Sequence, residues 1–520
     1  MFETPTLQTL ADYNIWVALP VIALAFGTMI MLLVDVFLPA ERKRWTPIVA
    51  ISGVSASFVM TLFTYSPVQT EAFGGMFVAD AFTGFLNIVV LLTAFISILL
   101  SSDYLRRTNT DYGEYYTLLL LSTTGAMFMI GANDLIIIFI GLELLSIPLY
   151  VLAAFRVTHI ADRGSLASLK SEEGGMKYFI LGAFSSAFLV YGSALIYGAT
   201  GTTNLREIFA AVGPVLAGTG ETSGTFLLLI GSALALVGLG FKVAVVPFHM
   251  WTPDVYEGSP TPVTAFMSVA AKVGGFAALL RLMVVGLSGF TLAGAEAAEP
   301  AAWQNAVQLI AALTLILGNF VALSQKNVKR MLAYSSIAHA GYIMMAIAAI
   351  GSAGMVPGVI NTAVQSALVY LMAYAFTNLG AFAVVLAIEN PDGSGTDMED
   401  FNGLYNSRPL LALAMAVFMF SLTGIPLTAG FLGKWLIFGA TVQAGLIPLA
   451  IVGVLTSVIS AFYYVRIIVN MFLNTDAAGA EASGATAPVR YAIYTSMAGV
   501  LIVGIAVPLV TNLVNMVQIV

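Results

Sequence analysis

Apolar runs of about twenty residues, each long enough to cross a bilayer, follow one another along this chain with only short polar stretches between them. They predict about fourteen helical spans, near 14–38, 46–66, 80–101, 114–132, 134–155, 175–199, 223–249, 260–284, 303–324, 330–350, 359–388, 409–438, 443–473 and 489–513. The fourth and fifth meet at the tight join Gly131–Asp134. Two runs carry helix breakers. Pro247 and Pro253 interrupt the seventh, and Gly424, Pro426, Gly430 and Gly433 interrupt the twelfth. A proline removes an N–H and frees the carbonyl four residues earlier, which in hydrocarbon must be met by protein or water.

Breakers at matching places in two halves point to an ion path in membrane proteins built from repeats. With repeats at the fourth to eighth and ninth to thirteenth spans, both interrupted helices take the fourth place. The offset of five spans makes the halves inverted in the membrane. The expected layout is a three-helix region (1–112), a first repeat (113–285), a second, inverted repeat (300–475) and a C-terminal span (476–520). The fold class is therefore an all-α polytopic membrane protein with two inverted five-helix repeats and interrupted helices 7 and 12.

Composition agrees with that class: 59% of the residues are hydrophobic and 9% are charged, against about 25% charged in a soluble domain. Placement of charge says more than the net value of −7. Of the twenty Lys and Arg residues, fourteen fall on one side if the N-terminus lies outside: Arg42, Lys43, Arg44, Arg106, Arg107, Arg156, Arg163, Lys170, Lys326, Lys329, Arg330, Arg408, Arg466 and Arg490. Only Arg206 and Arg281 fall toward the other. Cytoplasmic ends collect positive charge, so both termini are expected on the outer side of a bacterial plasma membrane. Residues 1–14 lack a basic stretch, so the first span is expected to stay.

The chain has no cysteine and three histidines. Thiolate metal sites, iron–sulfur clusters and disulfides are excluded. His159 reads as loop, His249 as a span end and His339 as mid-span, which does not offer the facing pair that a bis-histidine haem needs. Nothing calls for nucleic acid.

The remaining four lysines, Lys177, Lys242, Lys272 and Lys434, lie within apolar segments, and Glu143 is the one acid near mid-span. Charges at bilayer depth are costly and generally functional. A buried lysine whose carboxylate partner moves closer or farther changes its hold on a proton, which is the basis of a switchable proton relay. Because these residues come from different helices, packed about 8–10 Å apart, such a relay needs ordered water, which Ser335, Ser336, Ser421 and Thr423 are candidates to hold. Two bland readings stand beside it. Lys177, near a span end, suits snorkelling to the interface, and Lys242, Lys272 and Lys434 suit structural salt bridges. His339 reads equally as a hydrogen-bonded core histidine, and His249 is the weakest candidate.

Three segments carry a resemblance: "GFKVAVVPFHMWTPDVYEGSPTPVTAF" (240–266), "NVKRMLAYSSIAHAGY" (327–342) and "GIPLTAGFLGKW" (424–435). They are similar to signature segments of the antiporter-like membrane subunits of respiratory complex I, the NADH-quinone oxidoreductase, and the likeness covers about the whole chain. It implies one proton channel in which Glu143 and Lys177 form a modulating ion pair acting on Lys242. Lys272 is then the central connecting lysine, and Lys434 passes protons outward. His249 and His339 lie inside matching motifs. FMN, iron–sulfur clusters and quinone are expected in partner subunits, with no cofactor in this chain. The implied partners are other complex I membrane subunits, further antiporter-like subunits among them, and the lipid bilayer. The alternative is a stand-alone cation/proton antiporter.

Overall fold

The computed structural model describes residues 13–158, 164–216, 222–287, 303–352, 357–474 and 485–518. His159 and Arg163 lie outside them.

The chain begins with α1 (Leu19–Phe37) and α2 (Thr46–Thr64), followed by a small antiparallel hairpin, β1 (Thr70–Ala72) and β2 (Phe77–Ala79), paired Thr70 to Ala79. Next come α3 (Ala81–Arg107), α4 (Gly113–Gly131), α5 (Leu135–Ala153) and the 35-residue α6 (Leu166–Thr200). A short amphipathic α7 (Leu205–Leu216) leads to α8 (Thr222–Val243), the short α9 (Thr252–Gly258) and α10 (Thr261–Arg281). The second half holds α11 (Gln304–Leu323), α12 (Val328–Ser352), α13 (Pro357–Ile388), the single turn α14 (Leu404–Ser407), α15 (Pro409–Thr423), α16 (Ala429–Gln443) and α17 (Ile447–Leu473). Helices α18 (Ala487–Ile505) and α19 (Val507–Asn515) close the chain.

Among the described residues, twelve helical segments are long and apolar enough to cross a membrane. The 19-residue α4 joins them in the bundle, as do the paired 15-residue half-helices α15 and α16. Burial sorts them. The apolar windows of α10, α12 and α13 are 100%, 94% and 89% buried, while those of α1, α6, α17 and α18 are 33% buried. The outer helices turn Phe26, Phe184 and Phe462 outward, as expected where lipid replaces water as solvent. Close contact relies on small residues. A Cβ on Gly192 of α6 would stand 2.6 Å from the Ala235 nitrogen of α8, so the two backbones touch.

The tight join holds. Helix α4 ends at Gly131, Asp134 caps α5 through the Ile136 N–H at 2.8 Å, and Asn133 reaches the Gly75 carbonyl at 2.8 Å. Several predicted boundaries shift: α3 runs to Arg107 rather than 101, α6 begins at Leu166 rather than 175, and α8 ends at Val243 rather than 249. The twelfth run extends to Gln443, and the last run is divided at Ala506, where Pro508 of α19 cannot donate to the ladder.

Charged residues tie the connections together at two opposite ends. At one, Arg107 donates to the Glu389 carbonyl at 3.0 Å, Lys329 to the Ser259 carbonyl at 2.8 Å and Arg466 to the Leu323 carbonyl at 3.1 Å, while Lys170 pairs with Glu257 at 2.7 Å. This is called the basic end below. At the other, Arg206 meets Glu71 at 2.5 Å and Thr203 meets Asp134 at 2.8 Å.

One deeply buried ion pair joins Arg281 and Asp80, 2% and 5% exposed. Asp80 accepts from Arg281 Nη2 at 3.0 and 3.1 Å and from the Thr83 N–H at 2.8 Å. Arg281 also donates to Thr83 Oγ1 and the Ile130 carbonyl. The pair pins the end of α10 to the start of α3 and the end of α4. Removing one partner strands a buried charge, so Arg281→Met is expected to cost about 3–5 kcal/mol, read as earlier thermal unfolding in detergent. The double variant Arg281→Met/Asp80→Asn should unfold later than Arg281→Met alone.

Candidate functional site

Helix α8 stops at Val243, one residue after Lys242 and four before Pro247. Ala244 takes a positive φ of 62°, and the chain turns through 244–251 before α9. The backbone groups released there find protein partners: Trp251 Nε1 donates to the Phe241 carbonyl at 3.2 Å, and the Val246 N–H donates to Thr314 Oγ1 at 3.0 Å. Lys242 is 3% exposed. Its ammonium donates to Ser146 Oγ at 2.8 Å and Tyr178 OH at 3.2 Å and lies 5.5 Å from the Tyr178 ring centre.

The second break lies between α15 and α16. Gly424 has φ 91°, a left-handed conformation suited to glycine. Lys434, 5% exposed, covers the freed end of α15 by donating to the Leu422 carbonyl at 3.0 Å and the Thr423 carbonyl at 2.8 Å. Its third partner is Ser457 Oγ at 2.9 Å, and the Tyr342 ring centre is 5.0 Å away. A cation over the last carbonyls of a helix complements its dipole.

Between the breaks lie Lys272 on α10, 2% exposed, and His339 on α12, 5% exposed. Lys272 donates to the Ser336 carbonyl and lies 5.8 Å from the Tyr374 ring centre. Tyr374 donates to Ser336 Oγ at 2.8 Å. His339 is held by Tyr370 OH at 2.6 Å and Tyr464 OH at 3.1 Å, and Tyr464 continues to Ser335.

Glycine contacts connect these stations. A Cβ on Gly275 would lie 3.4 Å from Lys242 Cγ, so the Lys242 stem rests on α10 one turn beyond Lys272. A Cβ on Gly433 would lie 2.9 Å from Tyr370 Cδ2, which places α16 against the partner of His339. The order across the core is Lys242, Lys272, Ser336 and His339, Tyr370, Lys434. Amines, imidazole and hydroxyls each both give and take a hydrogen bond in their neutral forms, so such a row has the chemistry to pass protons.

Among the described residues, none of Lys242, Lys272 and Lys434 makes a salt bridge; every hydrogen-bond partner is a neutral hydroxyl or carbonyl. The structural-ion-pair reading of these lysines therefore fails.

Glu143 and Lys177 are not brought together. Lys177, 40% exposed, pairs with Glu173 one turn earlier and with Asp254 of α9 at 2.6 Å. Asp254 in turn meets Arg330 at 2.7 Å, and Arg330 meets Glu257 at 3.0 Å. Lys177 sits at the basic end, while Glu143 lies mid-way along α5, and this difference in depth separates them. Asp254 thus accepts from both Lys177 and Arg330, and Glu257 from both Lys170 and Arg330. Glu143 is half-buried and makes no hydrogen bond or ion pair among the described residues; Ser146, one turn along α5, is what touches Lys242. His249 lies in the turn after α8, and its buried Nδ1 has no hydrogen-bond partner among the described residues.

Of the serines and threonines singled out from sequence, Ser335 and Ser336 join the row, and Thr423 offers its carbonyl to Lys434. Ser421 accepts from the Gly430 N–H at 3.1 Å and meets Thr377 at 2.8 Å, bracing the second break. Ser146, Tyr178, Tyr370, Tyr374, Tyr464 and Ser457 escaped notice. Nothing along the chain marks them, because each earns its role by pairing with a residue at least 23 positions away.

Residues 132–460, which hold every station above, match the family described as NADH:quinone oxidoreductase/Mrp antiporter, TM. A curated relative from Trichlorobacter lovleyi, NADH-quinone oxidoreductase subunit N, is 46% identical over 502 residues, 96% of each chain. Subunit N 1 of Herpetosiphon aurantiacus is 43% identical, covering 94% of each. A chain of respiratory complex I from Thermus thermophilus superposes with a TM-score of 0.75 at 33% identity, over 95% of this chain and 98% of that one. A chain of the Mrp complex from Dietzia, at 20% identity and TM-score 0.71 over 98% and 97%, shares the fold. Identity of this extent, over a bundle whose breaks and lysines occupy the matched residues, settles membership: the chain belongs to the family of NADH-quinone oxidoreductase subunit N, within the NADH:quinone oxidoreductase/Mrp antiporter membrane proteins.

Proposed function

We propose that the row of buried lysines is the proton path of this subunit, running from Lys242 through Lys272 and His339 to Lys434. The observation that carries it is the contrast with Arg281. A lysine kept for structure needs an opposite charge, since an unpaired buried ammonium is costly. Lys242, Lys272 and Lys434 have only neutral partners, an arrangement suited to groups that shed and regain their charge. Glu143 biases Lys242 across one helical turn through its field, without direct contact. Lys177 serves a different part: with Asp254 and Arg330 it fastens α9 at the basic end. His249 takes a place beside the first break, at the mouth of the path.

The basic end is the cytoplasmic side in this reading, which puts both termini outside. Helices α4 to α10 form one repeat and α11 to α17 its inverted counterpart, with α8–α9 and α15–α16 as the interrupted members of a fourteen-span bundle. The three-helix region at 1–112 and the last span at 476–520 flank them. NADH, flavin, iron–sulfur and quinone chemistry belongs to partner subunits, and this chain is a non-redox pump module that neighbours drive.

In the assembled complex, Lys242→Ala and Lys272→Ala are expected to lower proton translocation about tenfold or more with assembly intact. Normal proton-to-electron ratios in both would sink the relay. Ser146→Ala removes one of two hydrogen-bond partners of Lys242 and is expected to produce a milder loss, about one power of ten or less, scored in the same vesicle assay. The isolated chain in liposomes should show no sodium/proton exchange; robust exchange without partners would favour a stand-alone antiporter.

A further inference from the structure

A cleft of about 470 Å³ opens at the basic end, away from the interrupted α8, and is lined in part by Arg156, Lys170, Glu257, Lys329, Glu389 and Asp392. At its base Glu389 follows the last residue of α13 and is 3% exposed. Glu389 Oε1 lies 3.9 Å from Arg156 Nη1 and 4.0 Å from Lys329 Nζ, beyond hydrogen-bond reach of both. Oε2 is buried and makes no hydrogen bond among the described residues. Asp80 shows how this chain treats a structural buried acid: it accepts from two N–H groups at 2.8–3.1 Å. Glu389 instead faces two cations at ion-pair distance without a hydrogen bond from either, and its Oε2 has no partner among the described residues, on a polar cleft at a helix C-terminus where a permanent anion is disfavoured.

Polar groups lead inward from it. Lys329, 4% exposed, donates to the Ser259 carbonyl at 2.8 Å. The hydroxyls of Ser259, Thr261 and Thr252 are buried and have no hydrogen-bond partners among the described residues. Tyr256 OH lies 3.5 Å from Ser336 Oγ, and Ser336 carries Lys272 on its carbonyl. From Lys329 to Ser336 along α12 is seven residues, about 10 Å, which three or so water-length hops span.

We propose that this cleft is a second proton inlet, in which Glu389 takes a proton from the cytoplasmic water and passes it through Lys329 toward Lys272. The inference rests on the relay reading above. Each transfer moves one proton and no electrons: the Glu389 carboxylate becomes a carboxylic acid, and once side-chain rotation closes the 4.0 Å gap its O–H breaks as an N–H forms on a Lys329 amine that has released its own proton inward.

This chain has no cysteine, so Glu389→Cys introduces its one thiol, and a chemical test follows in the assembled complex in inside-out vesicles, whose outer surface presents the cleft, with the unsubstituted complex treated alongside to subtract reaction at partner cysteines. Glu389→Gln and Glu389→Cys are expected to halve proton translocation roughly, because the Lys242 side remains open. Joining 3-mercaptopropionate by a disulfide to the thiol that Glu389→Cys introduces restores a titratable carboxyl and should recover the rate. A 2-mercaptoethanesulfonate adduct restores only the negative charge and should not. Equal rescue by both adducts would reduce Glu389 to a structural anion and overturn the inlet, as would unchanged pumping in Glu389→Gln. Should the cysteine variant fail to assemble, Glu389→Asp, which keeps the carboxyl, is expected to pump faster than Glu389→Gln, and equality of those two also overturns it. Lys272→Ala separates the two levels: if it lowers pumping while Glu389→Gln does not, the inlet falls and the relay stands; if neither does, both fall.

Discussion

The cost of an ionised group in hydrocarbon governs this bundle. It is met in two opposite ways. Arg281 and Asp80 are buried together, with Arg281 Nε and Nη2 and both Asp80 oxygens engaged, and the pair holds three helices in register at the end opposite the basic one. Lys242, Lys272 and Lys434 are buried with serine, tyrosine and backbone oxygen alone. The first arrangement is stable only while charged on both sides. The second tolerates either charge state, because hydroxyls reverse their hydrogen bonds freely and carbonyls accept from an amine as from an ammonium.

The broken helices follow from the same constraint. Unwinding backbone in a membrane exposes peptide groups, so each break is lined by protein polar groups: Trp251 and Thr314 at the first, Ser421 and Lys434 at the second. Each break also sets a lysine at the C-terminal end of a half-helix, Lys242 within α8 and Lys434 over the end of α15, where free carbonyls already favour positive charge. Substitutions at the breaks thus alter backbone satisfaction and the electrostatics around Lys242 and Lys434 together.

The alternation of apolar runs and polar joins was enough to read the helices, the tight turn at Gly131–Asp134 and both interruptions, because a bilayer imposes one length and one solvent on every span. The lysines were equally legible, since any charge stands out against so apolar a background. Their partners were not. Tyr178 and Tyr370 look like ordinary members of apolar runs, and only helix packing brings them to Lys242 and His339. The Glu143–Lys177 pairing failed for a related reason: sequence and resemblance assign helices, but the depth of a residue in a 35-residue helix depends on where that helix meets the interface. The hairpin at 70–79 and the amphipathic α7 were missed because short elements outside the bilayer lack the length signal.

Counting hydrogens at Lys434 exposes one more property of the second break. An ammonium has three donors, and the site holds three acceptors, the carbonyls of Leu422 and Thr423 and the Ser457 hydroxyl. The neutral amine has two donors and a lone pair. On discharge the two carbonyls keep their donors, and the Ser457 O–H swings round to donate into the nitrogen. The end of α15 therefore stays covered in both charge states, while one hydroxyl records which state is present.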